Sequence, residues 1–130
     1  MRFCVKILLY TPNQEKYKAI AALSAGLGVE LQALSPADFA TPLYKLLGLP
    51  PFFAAEPETG RPLPLLYNPP ELMLLHAFPE ESLDAFLAAY RAAGLEAIAF
   101  KAVTTVHNLG WTPYRLSEHI REERAALSNH

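Results

Sequence analysis

Every second residue from Phe3 to Leu9 is apolar, and this alternation predicts a β-strand over about residues 5–10. A shorter alternation predicts a second strand over residues 29–34. The continuous apolar run at residues 72–77 is typical of a strand that is buried on both faces. Residues 95–103 are predicted to form a fourth strand. The two more apolar strands are expected in the middle of a sheet and the two alternating strands at its edges.

After each predicted strand the apolar residues recur at the spacing of an α-helix. Each predicted helix begins at a proline, and three of the four prolines follow a residue that can cap the helix. The predicted starts are Thr11-Pro12, Ser35-Pro36, Pro79 and Thr112-Pro113. The first three helices are expected to end at or near Gly28, Gly48 and Gly94. The second helix is predicted to span about a dozen residues.

The order strand, helix, strand, helix therefore occurs twice along the chain. We predict an α/β fold in which two such repeats form one four-stranded, mainly parallel sheet with packed helices. A ferredoxin-like α+β sandwich is the alternative. The two folds differ in the direction of the third strand, and the helix predicted between the second and third strands favours the parallel direction.

The two halves of the chain also resemble each other, which indicates an internal duplication. Residues 7–33 align without a gap on residues 73–99, an offset of 66, and the glycines that end the first and third helices fall in register. After four extra residues in the second half, residues 44–46 match residues 114–116. Chance similarity between helices rich in Ala and Leu is the alternative explanation.

We predict a single domain over residues 1–130, with pseudo-repeats at about 2–48 and about 71–127 and a Pro-rich connection at 49–70. Seven of the 22 residues in this connection are proline, which excludes a long helix or a central strand there. A solvated tether would not be expected to carry Phe52-Phe53. We therefore consider these two aromatic residues candidates for binding a partner.

The composition restricts the classes of partner. The net charge of −2 argues against binding to nucleic acid. No apolar run reaches the ~18 residues of a membrane span, so no contact with a membrane is expected. Cys4 is the only cysteine and no cleavable signal peptide is recognised, so we expect a cytoplasmic protein.

Motifs for cofactors or catalysis are not found in the sequence. The four histidines include no close pair on one element, so no metal site is expected. No glycine-rich phosphate loop follows the first strand. Neither Cys4 nor a serine lies in a setting typical of an activated nucleophile. We therefore expect no cofactor and assign no catalytic residue.

A polar pattern behind the fourth predicted strand is more specific. It follows a helix that contains Leu83-Asp84-Ala85-Phe86-Leu87. The pattern consists of Lys101-Ala102, Thr105, Asn108 and Trp111-Thr112. With these residues, the stretch 73–123 resembles a family of small, functionally uncharacterised bacterial proteins, a domain of unknown function. The resemblance implies no particular activity.

The residues Lys101, Thr105, His107, Asn108 and Trp111 are candidates for binding a ligand or a partner. In a structural interpretation, Asn108 closes a turn, Thr105 bonds to the backbone, and Trp111 packs just before the last helix. In a functional interpretation, a lysine and a tryptophan beside a polar loop hold an anionic ligand or a partner segment at the carboxyl edge of the sheet.

Two hypotheses for the function follow. The first is a non-catalytic regulatory or protein-interaction module, and its aromatic connection is compatible with a homodimer or with a protein partner. The second is a small-molecule binding protein or enzyme that holds an anionic ligand between Thr11-Pro12 and Lys101–Trp111. If the sheet is parallel, these residues lie near the carboxyl ends of the first and fourth strands.

Overall fold

Four strands form one sheet, in the computed structural model that describes residues 5–50 and 62–128. The strands are β1 (Lys6–Tyr10), β2 (Glu30–Ala33), β3 (Leu72–His76) and β4 (Phe100–Val103). Their spatial order is β2-β1-β3-β4, so the two apolar strands lie in the middle and the two alternating strands at the edges. This order is the one that the hydrophobic pattern predicts.

The chain forms two compact units, each of which draws on both halves of the sequence. The first unit comprises residues 1–33 and 71–103 and contains the sheet with two helices, α1 (Gln14–Gly26) and α3 (Glu80–Ala92). The second unit comprises residues 34–70 and 104–130. Within its described residues are a 3-10 helix at Pro36–Ala40, a short α2 (Leu43–Leu46) and α4 (Pro113–Ser128).

Two of the three strand pairings are parallel. β1 pairs with β2 and β3 pairs with β4 in the parallel direction, whereas β1 and β3 are antiparallel. The predicted α/β fold with a four-stranded, mainly parallel sheet is therefore confirmed. The preference for a parallel third strand was wrong. Its premise was the helix of about a dozen residues predicted after β2, and in its place the structure has a 3-10 helix followed by the four-residue α2.

The break between these two short helices has a local cause. Proline disfavours the helical region for the residue before it, and Thr41 before Pro42 is extended, with φ −106° and ψ 129°. The 3-10 helix still begins with the predicted signal. Ser35 and Asp38 form a reciprocal capping box, in which the Ser35 backbone N–H donates to the Asp38 carboxylate over 2.8 Å.

The antiparallel ladder is centred on Leu8 and Leu74, because Lys6 pairs with His76 and Tyr10 pairs with Leu72. These two central leucines are also equivalent in the predicted repeat, since they are 66 positions apart. A local two-fold relation between the halves of the sheet therefore passes through this pair. The duplication itself stays a prediction.

The alignment without a gap was wrong near its end. Lys6 pairs with Glu30, 24 positions on, whereas Leu72 pairs with Phe100, 28 positions on. The four extra residues therefore lie between Gly94 and Phe100. The predicted strand over 95–103 is correspondingly limited to β4, because residues 95–99 do not pair in the sheet.

The core of the first unit lies between the sheet and its two helices. Ile20 of α1 and Phe86 of α3 are fully buried against side chains from one face of β1 and β3. The residues that complete this buried cluster are Ile7, Leu9, Met73, Leu75, Tyr90 and Ile98. Leu8 and Leu74 point to the opposite face and are also fully buried, as a strand with a continuous apolar run requires.

The start of α1 differs from the expectation. The residue that caps this helix is Asn13, whose side chain accepts a hydrogen bond from the Lys16 backbone N–H over 3.1 Å. Thr11, the predicted cap, accepts from the Asn13 backbone N–H and donates its own hydroxyl proton to the Glu71 carboxylate. The first helix therefore begins two residues later than the Thr-Pro signal indicated.

None of the helices within the described ranges has both the length and the apolar character that crossing a membrane would need.

Replacing each of the two glycines at the end of α1, Gly26 and Gly28, by alanine should change the free energy of unfolding in opposite directions. Gly28 has a φ of +72°, where a side chain is strained, so we expect Gly28→Ala to lower the free energy of unfolding by about 1 kcal/mol. Gly26 is the last residue of α1 and a β-carbon there would contact nothing, so Gly26→Ala should raise it by up to about 1 kcal/mol. Urea unfolding measures both values. Changes of the same sign would contradict this account.

Candidate functional site

The segment between β4 and α4 contains most of the residues that the sequence singles out. Thr105 and Asn108 bond to each other reciprocally: the Thr105 N–H donates to the Asn108 side chain over 2.8 Å, and the Asn108 N–H donates to the Thr105 hydroxyl over 3.1 Å. The Trp111 N–H then donates to the Asn108 carbonyl over 2.9 Å. Both polar side chains therefore hold a turn closed, as the structural interpretation predicts.

The turn leads directly into α4. The fully buried Thr112 hydroxyl accepts from the Arg115 backbone N–H over 3.1 Å, so Thr112 caps the helix, as predicted. The carbonyls of Leu109 and Trp111 accept from the Tyr44 and Leu43 N–H groups over 2.9 and 2.8 Å. The backbone on which Trp111 is carried is therefore fixed from two sides.

The Trp111 ring lies against the first two turns of α4. The guanidinium carbon of Arg115 is 4.3 Å from the centre of the indole, in cation–π geometry. The His119 ring meets the indole edge-on at 5.1 Å. His119 is in turn paired with Glu123, with 2.7 Å between its Nε2 atom and the carboxylate. These contacts hold the half-buried indole in one orientation.

A groove of about 400 Å³ runs along this face of α4. Its lining combines two aromatic rings with charged and polar side chains. The lining residues are Trp111, Tyr114, Arg115, Glu118, His119 and Glu122. Glu118 also accepts from Arg121 over 2.5 Å, whereas the exposed Glu122 carboxylate faces the solvent at the groove.

Of the residues that line the groove, only Trp111 is among the candidates that the sequence predicts. Part of the signal was present, because Arg115 and His119 are four residues apart and so share one face of α4, and Trp111 lies just before this helix. Trp111 was recognised because it is the only tryptophan of the chain. Arg115 and His119 could be recognised as its partners only once the helical register was known.

The remaining predicted site residues do not join this groove. Lys101 is exposed on the edge strand β4, in the first unit, and His107 is exposed in the turn. Phe52 and Phe53 lie outside the described residues. β1 and β4 run in opposite directions, so their carboxyl ends, Tyr10 and Val103, lie at opposite edges of the sheet. The premise of a site shared by these two strand ends was therefore wrong.

A second polar cluster, which no pattern in the sequence indicated, lies at the carboxyl end of β1. The Lys16 ammonium is 2.9 Å from the Glu71 carboxylate and donates to the Ala97 carbonyl over 3.1 Å. The Thr11 hydroxyl donates to the other oxygen of Glu71 over 2.5 Å. Lys16 is only 8% exposed. The pair joins α1, the start of β3 and the extra residues before β4.

Burial of Glu71 opposes its ionisation, but the hydrogen bonds from Thr11 and Lys16 and the charge of Lys16 together lower the pKa of this carboxyl below its usual value. Glu71 is therefore ionised at neutral pH. Because both charges are satisfied by each other and by neighbouring polar groups, the cluster fits a structural role.

No group of three His, Cys, Asp or Glu side chains within residues 5–50 and 62–128 is placed to hold a metal ion.

Comparison with known proteins adds one finding. Residues 71–127 match a family described as a domain of unknown function (DUF3783). The match includes the whole of the 73–123 stretch for which the sequence predicts such a resemblance, and it includes the Trp111 groove. No curated protein and no solved structure matches the chain. The comparison therefore agrees with an uncharacterised family and assigns no role.

The Lys16–Glu71 pair predicts unequal costs for its two partners. Glu71→Gln leaves a buried ammonium without its counter-ion and should lower the free energy of unfolding by about 2–3 kcal/mol. Lys16→Met keeps the packing of the stem and leaves Glu71 bonded to Thr11, so it should cost about 1 kcal/mol. A double-mutant cycle by urea unfolding should give a non-additive double variant. Additive costs would mean that the pair does not interact.

The same carboxylate predicts a pH dependence. Since its pKa is lower in the folded state than the usual 4.5, the stability that it contributes is complete above about pH 4.5 and is lost as the pH falls through the folded-state value. The difference in unfolding free energy between the wild type and Glu71→Gln should be constant near neutral pH and shrink in acid. A difference that grows in acid would contradict the assigned direction.

Proposed function

We propose that this protein is a non-catalytic interaction module, and that the groove at Trp111 binds a segment of a partner protein. The observation that carries the proposal is the composition of the groove: Trp111, just before α4, lines it together with Tyr114 and Arg115 of the first turn of α4. Trp, Tyr and Arg are the residue types most enriched among those that dominate the energy of protein interfaces.

The side chains of the groove are already held in place, which supports the proposal that it binds a partner segment. Arg115 and His119 hold the indole of Trp111, so binding would cost little side-chain entropy. The ring is only half-buried, which leaves aromatic surface for a ligand. A pre-organised aromatic anchor with a charged border is typical of a surface that recognises a peptide.

The charges in the groove indicate the chemistry of the partner. Glu118 and Glu122 contribute two carboxylates, and Arg115 lies over the indole. Because Glu118 already pairs with Arg121, Glu122 is the carboxylate best placed to meet a new cation. The partner segment is therefore one that carries a Lys or Arg side chain next to an apolar or aromatic residue.

An anionic small molecule or an enzymatic reaction at Thr11 and Lys101 has weaker support. The Thr11 hydroxyl donates its hydrogen bond to the Glu71 carboxylate, and the negative charge of this carboxylate would repel an anion. The loop behind β4 also leaves from the edge of the sheet opposite to Thr11. The bacterial origin, the cytoplasmic location and the absence of a nucleic-acid partner that the sequence predicts are retained as parts of this proposal.

Intrinsic fluorescence tests the proposal, because Trp111 is the only tryptophan of the chain. Peptides selected by display on the wild-type protein should shift the Trp111 emission on titration and should share a cationic residue next to an apolar one. Glu122→Lys should weaken their binding about tenfold, since it replaces the attraction for the cation by repulsion.

Asp84→Lys is the matched control, because it makes the same change of charge at an exposed position of α3 and should leave the affinity unchanged. Peptides that bind without changing the Trp111 emission, and equally to both variants, would show that the groove is not the binding surface.

A further inference from the structure

A turn in the second unit presents two leucines to the solvent. Leu65 and Leu66 are 93% and 94% exposed, more than any other large apolar residue that the structure describes. They occupy the tip of the turn Pro64–Tyr67, in which the Tyr67 N–H donates to the Pro64 carbonyl over 3.2 Å. Adjacent apolar side chains that are exposed to this extent are typical of an interaction site.

The turn is held in place by aromatic packing. The Tyr67 ring lies 6.0 Å from the ring of Phe39 and 5.1 Å from that of Tyr114, the latter edge-on. Leu66 has a φ of +58°, a left-handed conformation that Gly or Asn adopts at much lower cost. Leucine at this position works against local stability, so the turn alone does not explain the choice of residue.

The first unit has an apolar cleft of matching size, about 130 Å³. It lies between the carboxyl end of α1 and the first turns of α3. The side chains that line it are aliphatic except for the Ser82 hydroxyl, and polar groups make up almost half of the exposed lining surface. The lining residues are Val5, Leu27, Gly28, Val29, Ser82 and Ala85. Leu27 is 45% exposed, so apolar surface of the cleft remains in contact with water. An apolar cavity of ~150 Å³ can hold benzene, so this cleft can hold the side chain of a leucine.

A second cleft lies at the equivalent place in the other half of the sheet, and its chemistry is different. Its lining includes Lys16, Ala19, Gly94 and Leu95, which are 66 positions from Ser82, Ala85, Gly28 and Val29. Glu15 and Glu96 also line this second cleft. Only the cleft at Ser82 is therefore free of charged lining residues and suited to a leucine.

We propose that the Leu65–Leu66 turn of one copy of this chain inserts into the apolar cleft at Ser82 of a second copy. Both surfaces are exposed and carry aliphatic side chains, and the size of the cleft fits one branched aliphatic side chain. The contact joins two different surfaces, so it is heterologous, and each copy has one turn to offer and one cleft to fill. Neither contacting surface includes a residue of the Trp111 groove, although Tyr67 of the turn packs on Tyr114 of that groove. The contact does not depend on the function proposed above.

Sedimentation velocity over a range of concentrations tests this contact. The wild type should associate, and two variants should each weaken its association at least tenfold. One is the double change Leu65→Ser with Leu66→Asn, in which Asn preserves the left-handed turn. The other is Ala85→Glu, which places a charge in the cleft. Ala88→Glu is the matched control on the same helix, α3, since Ala88 is exposed and does not line the cleft.

Mixing the two defective variants gives the decisive result. The turn variant keeps an intact cleft and the Ala85→Glu variant keeps an intact turn, so the mixture should associate although neither variant does so alone. Circular dichroism and urea unfolding of each variant establish that both are folded. A monomeric wild type at about 1 mM, variants that associate like the wild type, or a mixture that stays monomeric would each overturn the proposal. Glu122→Lys, a variant of the Trp111 groove, should associate like the wild type.

Discussion

The antiparallel pairing of β1 with β3 is the contact on which the rest of the structure depends. It joins the two strand–helix–strand segments of the first unit, each of which pairs its own strands in parallel. Leu8 and Leu74 lie at the centre of this pairing and are fully buried. A slip by one residue would exchange side chains between the faces of the sheet and remove Ile7 and Leu9 from the core shared with the two helices. Because β1 is antiparallel to β3 and β4 is parallel to β3, β1 and β4 run in opposite directions and their carboxyl ends are separated.

Most of the elements could be predicted from the sequence, because local patterns determine them. The period of two in β1, the apolar run of β3 and the Thr-Pro start of α4 each have a short-range physical cause. The direction of β3 had no such cause, since a long proline-rich connection permits either direction. Proline positions also misled in one case, because Pro42 divides the predicted second helix and each of its parts is too short to act as a crossover.

The candidate site was only partly visible in the sequence. Thr105 and Asn108 were recognisable as turn residues, since a short polar side chain next to the backbone has few other roles. The Lys16–Glu71 pair was not, because its members are 55 positions apart and only the fold brings them together. Trp111 was found as a single residue. Its importance for function lies in Arg115 and His119, which turn an isolated aromatic ring into one side of an ordered groove.

The central claim is that the Trp111 groove recognises a cationic segment of a partner protein. A crystal structure of the chain with a peptide selected by display tests this most directly. We expect an apolar or aromatic side chain of the peptide on the Trp111 ring and a Lys or Arg side chain within hydrogen-bonding distance of the Glu122 carboxylate. A peptide bound at another surface, with the groove unchanged, would contradict the account.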